Sequence, residues 1–265
     1  MQNPEAAEWQ TPPPPEIIER DEPQMSELAI IGNIFFEPGR TFEDLRRKPR
    51  FIIATVIVSL LIASYGLILA AKVGDAGIRQ FIVEQLDKNP RAVAMDSGTK
   101  AKAVDMQMTI SKAGRFASPV LIAAVMAIGG LFYWVAAKVF GGTGGFLHCW
   151  SVFVYSALPP TVISMIGNFI VLFFKSANEI DLATSQRGVI HANLAALMDG
   201  RSAPVLATLI GTIDLFMIWG WILAAIGLRI TNKISSASAW AVVIIFALIG
   251  VFLRVVGAFF SGNPV

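Results

Sequence analysis

The chain has 265 residues, 55% of them hydrophobic and 15% charged, with a mean hydropathy of +0.63. Soluble domains carry charge on about a quarter of their residues, so this composition excludes a soluble globular protein and indicates a polytopic membrane protein built as one all-α helical bundle. The formal net charge is +2, yet Glu5, Glu8, Glu16, Glu19, Asp21 and Glu22 against Arg20 give the first 24 residues −5 and leave +7 for the rest. An acidic tail on a basic membrane body argues against nucleic-acid binding and for contact with anionic lipid head groups.

Taken in order, residues 1–24 combine Pro4, Pro12 to Pro15 and Pro23 with acidic and polar residues. Such a segment cannot bury enough apolar surface to offset the entropy of ordering. It is expected to be a disordered linker or a polyproline docking peptide. The N-terminus shows no apolar signal-peptide core, so the first span is expected to act as its own insertion signal.

From Ser26 to Arg50, Leu28, Ile31, Ile34, Phe35 and Phe36 form an apolar patch that Glu37-Pro38-Gly39 interrupts. Thr41 and Asp44 have the spacing of a helix N-cap and its reciprocal acid. The spacing of Phe42 and Leu45 then predicts a short amphipathic helix in the membrane interface. Arg46, Arg47, Lys48 and Arg50 follow at once, and are expected to anchor among anionic head groups and orient the first span.

Five spans are predicted at about 51–71, 118–137, 149–174, 203–228 and 238–260, each apolar and long enough to cross a bilayer. Residues 73–117 are too polar to span and too long for a turn. There the helical spacing of Ile78, Phe81, Ile82 and Leu86 predicts an extramembrane helical segment packed on the bilayer or the bundle. A second helix is expected to run from about Ala101 through Val104, Met108 and Ile110 into span two. The glycine-rich stretch from Phe140 to Phe146 lacks a Lys-Ser/Thr partner and a preceding strand, so it reads as a tight turn rather than a phosphate cradle.

Span three carries Pro159 and Pro160, each of which deletes an amide donor and is expected to kink the helix, freeing carbonyls near Tyr155 and Ser156. Ser156, Thr161, Ser164 and Asn168 are placed to satisfy that backbone or to bond a neighbouring helix. A polar loop follows from Lys175 to Ser202, with a short helix expected around His191 to Met198. Span four contains Asp214 and span five Arg254, and an ionisable group at membrane depth must face protein or water. The two are expected to pair, directly or through water. The alternative has Arg254 reaching for the interface while Asp214 bonds Asn168 or a hydroxyl of span three.

Lysines and arginines near the span ends divide almost evenly between the faces, and the dense cluster before span one decides the orientation. It places the N-terminus in the cytoplasm and, with five spans, the C-terminus on the opposite face.

Several stretches resemble one family. Ile34-Phe35-Phe36-Glu37-Pro38-Gly39-Arg40-Thr41-Phe42 before span one and Phe140-Gly141-Gly142 after span two match it, as do Tyr155-Ser156-Ala157-Leu158-Pro159 in span three and Asp214-Leu215-Phe216-Met217-Ile218-Trp219 in span four. In this order, with five spans, they resemble the Yip (Ypt/Rab-interacting protein) domain family of five-span membrane proteins, and its prokaryotic branch in particular. The resemblance covers about residues 28–260. It implies a bacterial cell (inner) membrane and transfers no catalytic residues; eukaryotic members are associated with small Rab-type GTPases and vesicle traffic.

The residues themselves offer little chemistry. An aspartyl mechanism needs two carboxylates in one site, and Asp214 is the carboxylate within a span. A serine mechanism needs a base, and His148 sits at a span edge beside the glycine turn; His148, His191 and Cys149 lack metal-ligand spacing. No enzyme, cofactor or metal is expected. Two functions stay open. One is a scaffold or adaptor that contacts lipids and a membrane-protein partner or a second copy. The other is a small-solute, proton-coupled or lipid transporter using Asp214 and Arg254.

Overall fold

The computed structural model describes residues 25–88, 95–186, 188–190, 193, 195 and 203–261. The expected acidic tail (residues 1–24), His191 and most of the short helix expected around it lie outside the described residues. The described residues are helical or irregular. In chain order they form α1 (Glu27–Asn33), α2 (Pro38–Arg47), α3 (Ile52–Lys88), α4 (Ser97–Val139), α5 (Phe146–Phe174), a 3-10 turn (Ala177–Glu179), α6 (Leu182–Ser185), α7 (Pro204–Gly211), α8 (Leu215–Asn232) and α9 (Ser236–Ser261). Five of them, α3, α4, α5, α8 and α9, are long and apolar enough to cross a membrane.

Spans one and two are parts of longer helices. At about 1.5 Å per residue the 43 residues of α4 extend roughly 64 Å, twice a bilayer's hydrocarbon thickness. Its N-terminal half therefore stands clear of the membrane at the end of the bundle far from α1 and α2. The C-terminal part of α3 runs beside it. Ile78 and Ile82 bury against Val104 and Met108, so the predicted amphipathic face packs on α4 rather than on lipid.

Ion pairs stitch this hairpin from outside: Arg79 to Asp105 at 2.8 Å, Lys112 to Asp75 at 2.6 Å, and Lys100 to Asp87. The Lys112 hydrogen bond holds the Asp75 carboxyl below its usual range. Its contribution is thus present at neutral pH and lost as acid protonates it, and is small because both partners are exposed.

Between membrane and hairpin, α3 is broken at Gly74, where φ is +73° and ψ 168°. That combination is essentially confined to glycine. Gly74→Ala is expected to cost about 1–3 kcal/mol, read as a lower melting temperature in detergent; an unchanged melting curve would contradict the break.

The main core lies in the half of the bundle that carries α1 and α2. It joins Ile30, Ile34, Phe42 and Leu45 to Val58 of α3, Tyr133 of α4, Val152 and Tyr155 of α5, Leu228 of α8 and Val242 of α9. Large apolar side chains remain exposed along the outer faces, among them Ile128, Ile170, Leu248 and Phe252, as a lipid-facing surface requires.

Span four differs from the single helix expected at 203–228. The chain leaves α7 after Gly211, becomes extended at Asp214 (φ −106°, ψ 140°), and restarts as α8. The physical cause is the aspartate itself. Its Oδ1 accepts from the Phe216 amide at 2.8 Å, so it caps a new helix instead of lying inside an old one. With 18 residues, about 27 Å long, α8 comes close to spanning the hydrocarbon alone.

Candidate functional site

The N-terminal helices are locked to the bundle by one buried ion pair. Pro38, as the first residue of α2, starts the helix a turn earlier than a Thr41 cap would. Asp44 then falls on the buried face with Thr41, Phe42 and Leu45. Its side chain is 3% exposed and pairs at 2.8 Å with Arg50, whose side chain is 9% exposed. Arg50 Nη1 also donates to the Met25 carbonyl at 2.7 Å, while the Met25 amide donates to Asp44 Oδ1 at 3.2 Å. Three segments meet here: the entry to α1, the end of α2 and the start of α3. The expectation that Asp44 caps the helix, and that Arg50 anchors among head groups, is corrected by this geometry. Both charges are committed to each other.

The buried face of α2 lies on α8. Phe42 is fully buried against Gly227, where an added Cβ would fall 2.8 Å from the Phe42 ring and 2.8 Å from Val152. The amphipathic helix thus spends its apolar side on protein, not on the membrane interface. Next to it, His148 Nε2 lies 3.2 Å from the Arg46 carbonyl, tying the start of α5 to the end of α2. Asn232, fully buried at the end of α8, gathers the glycine turn. Its carbonyl accepts from the Thr143 amide at 3.0 Å and its Oδ1 from Cys149 Sγ at 3.3 Å. The turn expected between spans two and three is therefore also a clasp on α8.

Helices α2, α4 and α8 all end here, with Arg46 and Arg47, Lys138, and Arg229 in their last turns, where a cation complements the helix dipole. Lys48 and Lys233 stand immediately beyond. Arg46 and Arg47 are half-buried, whereas Lys48, Lys138, Arg229 and Lys233 are exposed. The result is a platform with a basic rim.

The polar groups of the spans are arranged differently from expectation. No direct ion pair within 4 Å joins Asp214 and Arg254 among the described residues, although the two charges lie close enough to interact. Arg254 Nη1 instead reaches Met217 Sδ at 3.6 Å, and Asp214 Oδ2 accepts from Asn193 at 3.4 Å. The break in span four turns Asp214 into a cap, and its oxygens are used locally. The alternative partner, Asn168, is engaged elsewhere: its Oδ1 accepts from the Val189 and Ile190 amides at 2.6 and 2.9 Å, and its Nδ2 donates to the Ser164 carbonyl.

Ser156 and Ser164 bond the Phe153 and Thr161 carbonyls within α5, so the inter-helix role expected of them is not seen. Pro159 and Pro160, both buried, lie within the one helix α5. Asn168→Ala is expected to leave two loop amides without an acceptor. Exchange at 188–190 should then rise roughly tenfold, the equivalent of one or two hydrogen bonds; unchanged exchange would show that other contacts hold the loop.

With this geometry in place, comparison with known proteins is decisive at one level. The Yip1 domain model matches residues 32–258, from within α1 to near the end of α9. The chain belongs to the Yip1 domain family. It is also similar to "Membrane protein YknW" of Bacillus subtilis (strain 168), 27% identical over 239 residues that cover 89% of this chain and 93% of that protein. No solved structure matches. The Yip1 domain thus takes in α2, all five spans and the far-end hairpin, and leaves the acidic residues 1–24 outside. The sequence reading missed Gly227 and Asn232 as contact points. For Asp44 a signal existed: a carboxylate on the apolar face of a helix, followed within two turns by an arginine.

Proposed function

We propose that this Yip1-domain protein is a non-enzymatic scaffold or adaptor of a bacterial cell membrane, with its basic end in the cytoplasm. One observation carries the reading. The N-terminal helices pack on the bundle as a platform, while Arg46, Arg47 and Lys48 at its edge have no carboxylate partner among the described residues. A built, outward-facing basic rim suits anionic lipid head groups and a membrane-protein partner or second copy bound beside them.

Crosslinking and pull-down from native membranes test the proposal. Expected is a reproducible partner or oligomer that is weakened in the Arg46→Gln/Arg47→Gln/Lys48→Gln variant. Recovery of neither would remove its basis. A second reading, a small-solute, proton-coupled or lipid transporter, is favoured by the broken fourth span beside Arg254, since interrupted helices build transport sites. Flux into proteoliposomes that is lost in Asp214→Asn with folding intact would support it and count against the scaffold.

A further inference from the structure

Cations without a carboxylate partner are concentrated at the platform end of the chain, although Arg40 and Arg50 there are paired. In the far-end hairpin, Arg79, Lys100 and Lys112 each have a carboxylate within ion-pair distance, while Arg115 donates to the Ser111 carbonyl. At the platform, none of Arg46, Arg47, Lys48, Lys138, Arg229 and Lys233 has one among the described residues. Lys138 donates instead to the Gly142 carbonyl at 3.0 Å. The carboxylates nearby do not fill the gap: Asp44 and Glu27 face Arg50, and Glu37 pairs with Arg40. Glu43 is exposed and by itself cannot offset six cations.

These cations sit at helix ends gathered at one end of the bundle. The Arg46 carbonyl meets His148, and the glycine turn between Lys138 and His148 is bonded to Asn232, next to Lys233 and one turn from Arg229. The first 24 residues join the domain at the same end of the bundle, where Met25 is held by Asp44 and Arg50. Those residues carry six carboxylates and one arginine. Fully extended they reach at most roughly 80 Å, against a bundle roughly 30 Å wide at three helix spacings.

We infer that residues 1–24 are an intramolecular acidic ligand of the basic rim, seated across Arg46, Arg47, Lys48, Lys138, Arg229 and Lys233 and displaced by anionic lipid. Charge complementarity, a root fixed at the rim and sufficient length all select this occupant. The inference rests on the reading of the rim as an anion-binding surface. Tail and head groups then compete for the same cations, so the tail sets how much anionic lipid the protein gathers.

The test uses the full chain in nanodiscs of phosphatidylcholine alone, with the photo-crosslinking residue p-benzoylphenylalanine replacing Gln10. Crosslinks are expected within 46–48, 138–148 and 229–233. They should fall at least about fivefold when the six acids are neutralised (Glu5, Glu8, Glu16, Glu19 and Glu22→Gln, Asp21→Asn), because an electrostatic contact loses its attraction with its charge. Crosslinks elsewhere, or a yield indifferent to neutralisation, would overturn the proposal.

In nanodiscs of mixed phosphatidylcholine and phosphatidylglycerol, the neutralised tail should raise retained phosphatidylglycerol roughly threefold; unchanged retention would refute competition. The Arg46→Gln/Arg47→Gln/Lys48→Gln variant should lower that retention. If it does not, the head-group reading fails, and the crosslinks in pure phosphatidylcholine still decide the tail.

Discussion

Asp44→Ala is expected to be among the most damaging substitutions in the chain, lowering stability by about 3–5 kcal/mol by leaving the buried Arg50 charge without its partner. Arg50 is 9% exposed and its guanidinium bonds Asp44 and the Met25 carbonyl. Removing the acid leaves a largely buried cation whose remaining carboxylate, Glu27, is half-exposed and 3.7 Å away, and the Met25 amide loses its acceptor as well. Arg50→Ala should be comparably harmful, since it leaves Asp44 unpaired. Asp44→Leu combined with Arg50→Met should recover most of the loss, because two apolar side chains of similar volume carry no desolvation penalty. Thermal unfolding in detergent measures all four proteins. Single variants that melt like the parent would show that the pair is solvated, and a double variant no better than the singles would assign the loss to packing.

The second large effect is steric. Gly227→Leu must place a side chain where Phe42 and Val152 already stand 2.8 Å from an added Cβ. Overpacking of a closed core costs about 1–3 kcal/mol, and here there is a cheaper escape: expelling α2 from the bundle. The variant should therefore fold as five spans while amides of 38–47 exchange faster. Phe42→Ala removes the ring that the leucine collides with, so Gly227→Leu/Phe42→Ala should bring α2 back more nearly than either change alone. Additive damage in the pair would mean that the ring and the glycine do not meet.

The five spans were legible because a bilayer demands about twenty apolar residues whatever the tertiary structure. The helical spacing of Ile78 and Ile82 was equally readable, although it could not say that the partner surface was α4. The errors concern charges and caps. Thr41 with Asp44 satisfies the pattern of a capping box, but Pro38 starts the helix first and moves the acid to the inner face. Asp214 reads as a mid-membrane carboxylate when the apolar run is taken whole, and its capping of α8 becomes visible once the Phe216 amide is located. A local capping bond decided what Asp214 does, and the ion pair with Arg50 decided it for Asp44; composition registers neither. Gly227 and Asn232 matter through neighbours far away in sequence, which no periodicity encodes.

Both the scaffold reading and the acidic-ligand inference require α1 and α2 to be a fixed part of the bundle. Hydrogen exchange followed by mass spectrometry on the protein in nanodiscs tests this most directly, since protection reports the free energy of local opening. The structure predicts that amides of 38–47 are protected as strongly as those of 149–158 in α5. Exchange of 38–47 at the rate of a free peptide, with α5 still protected, would contradict it.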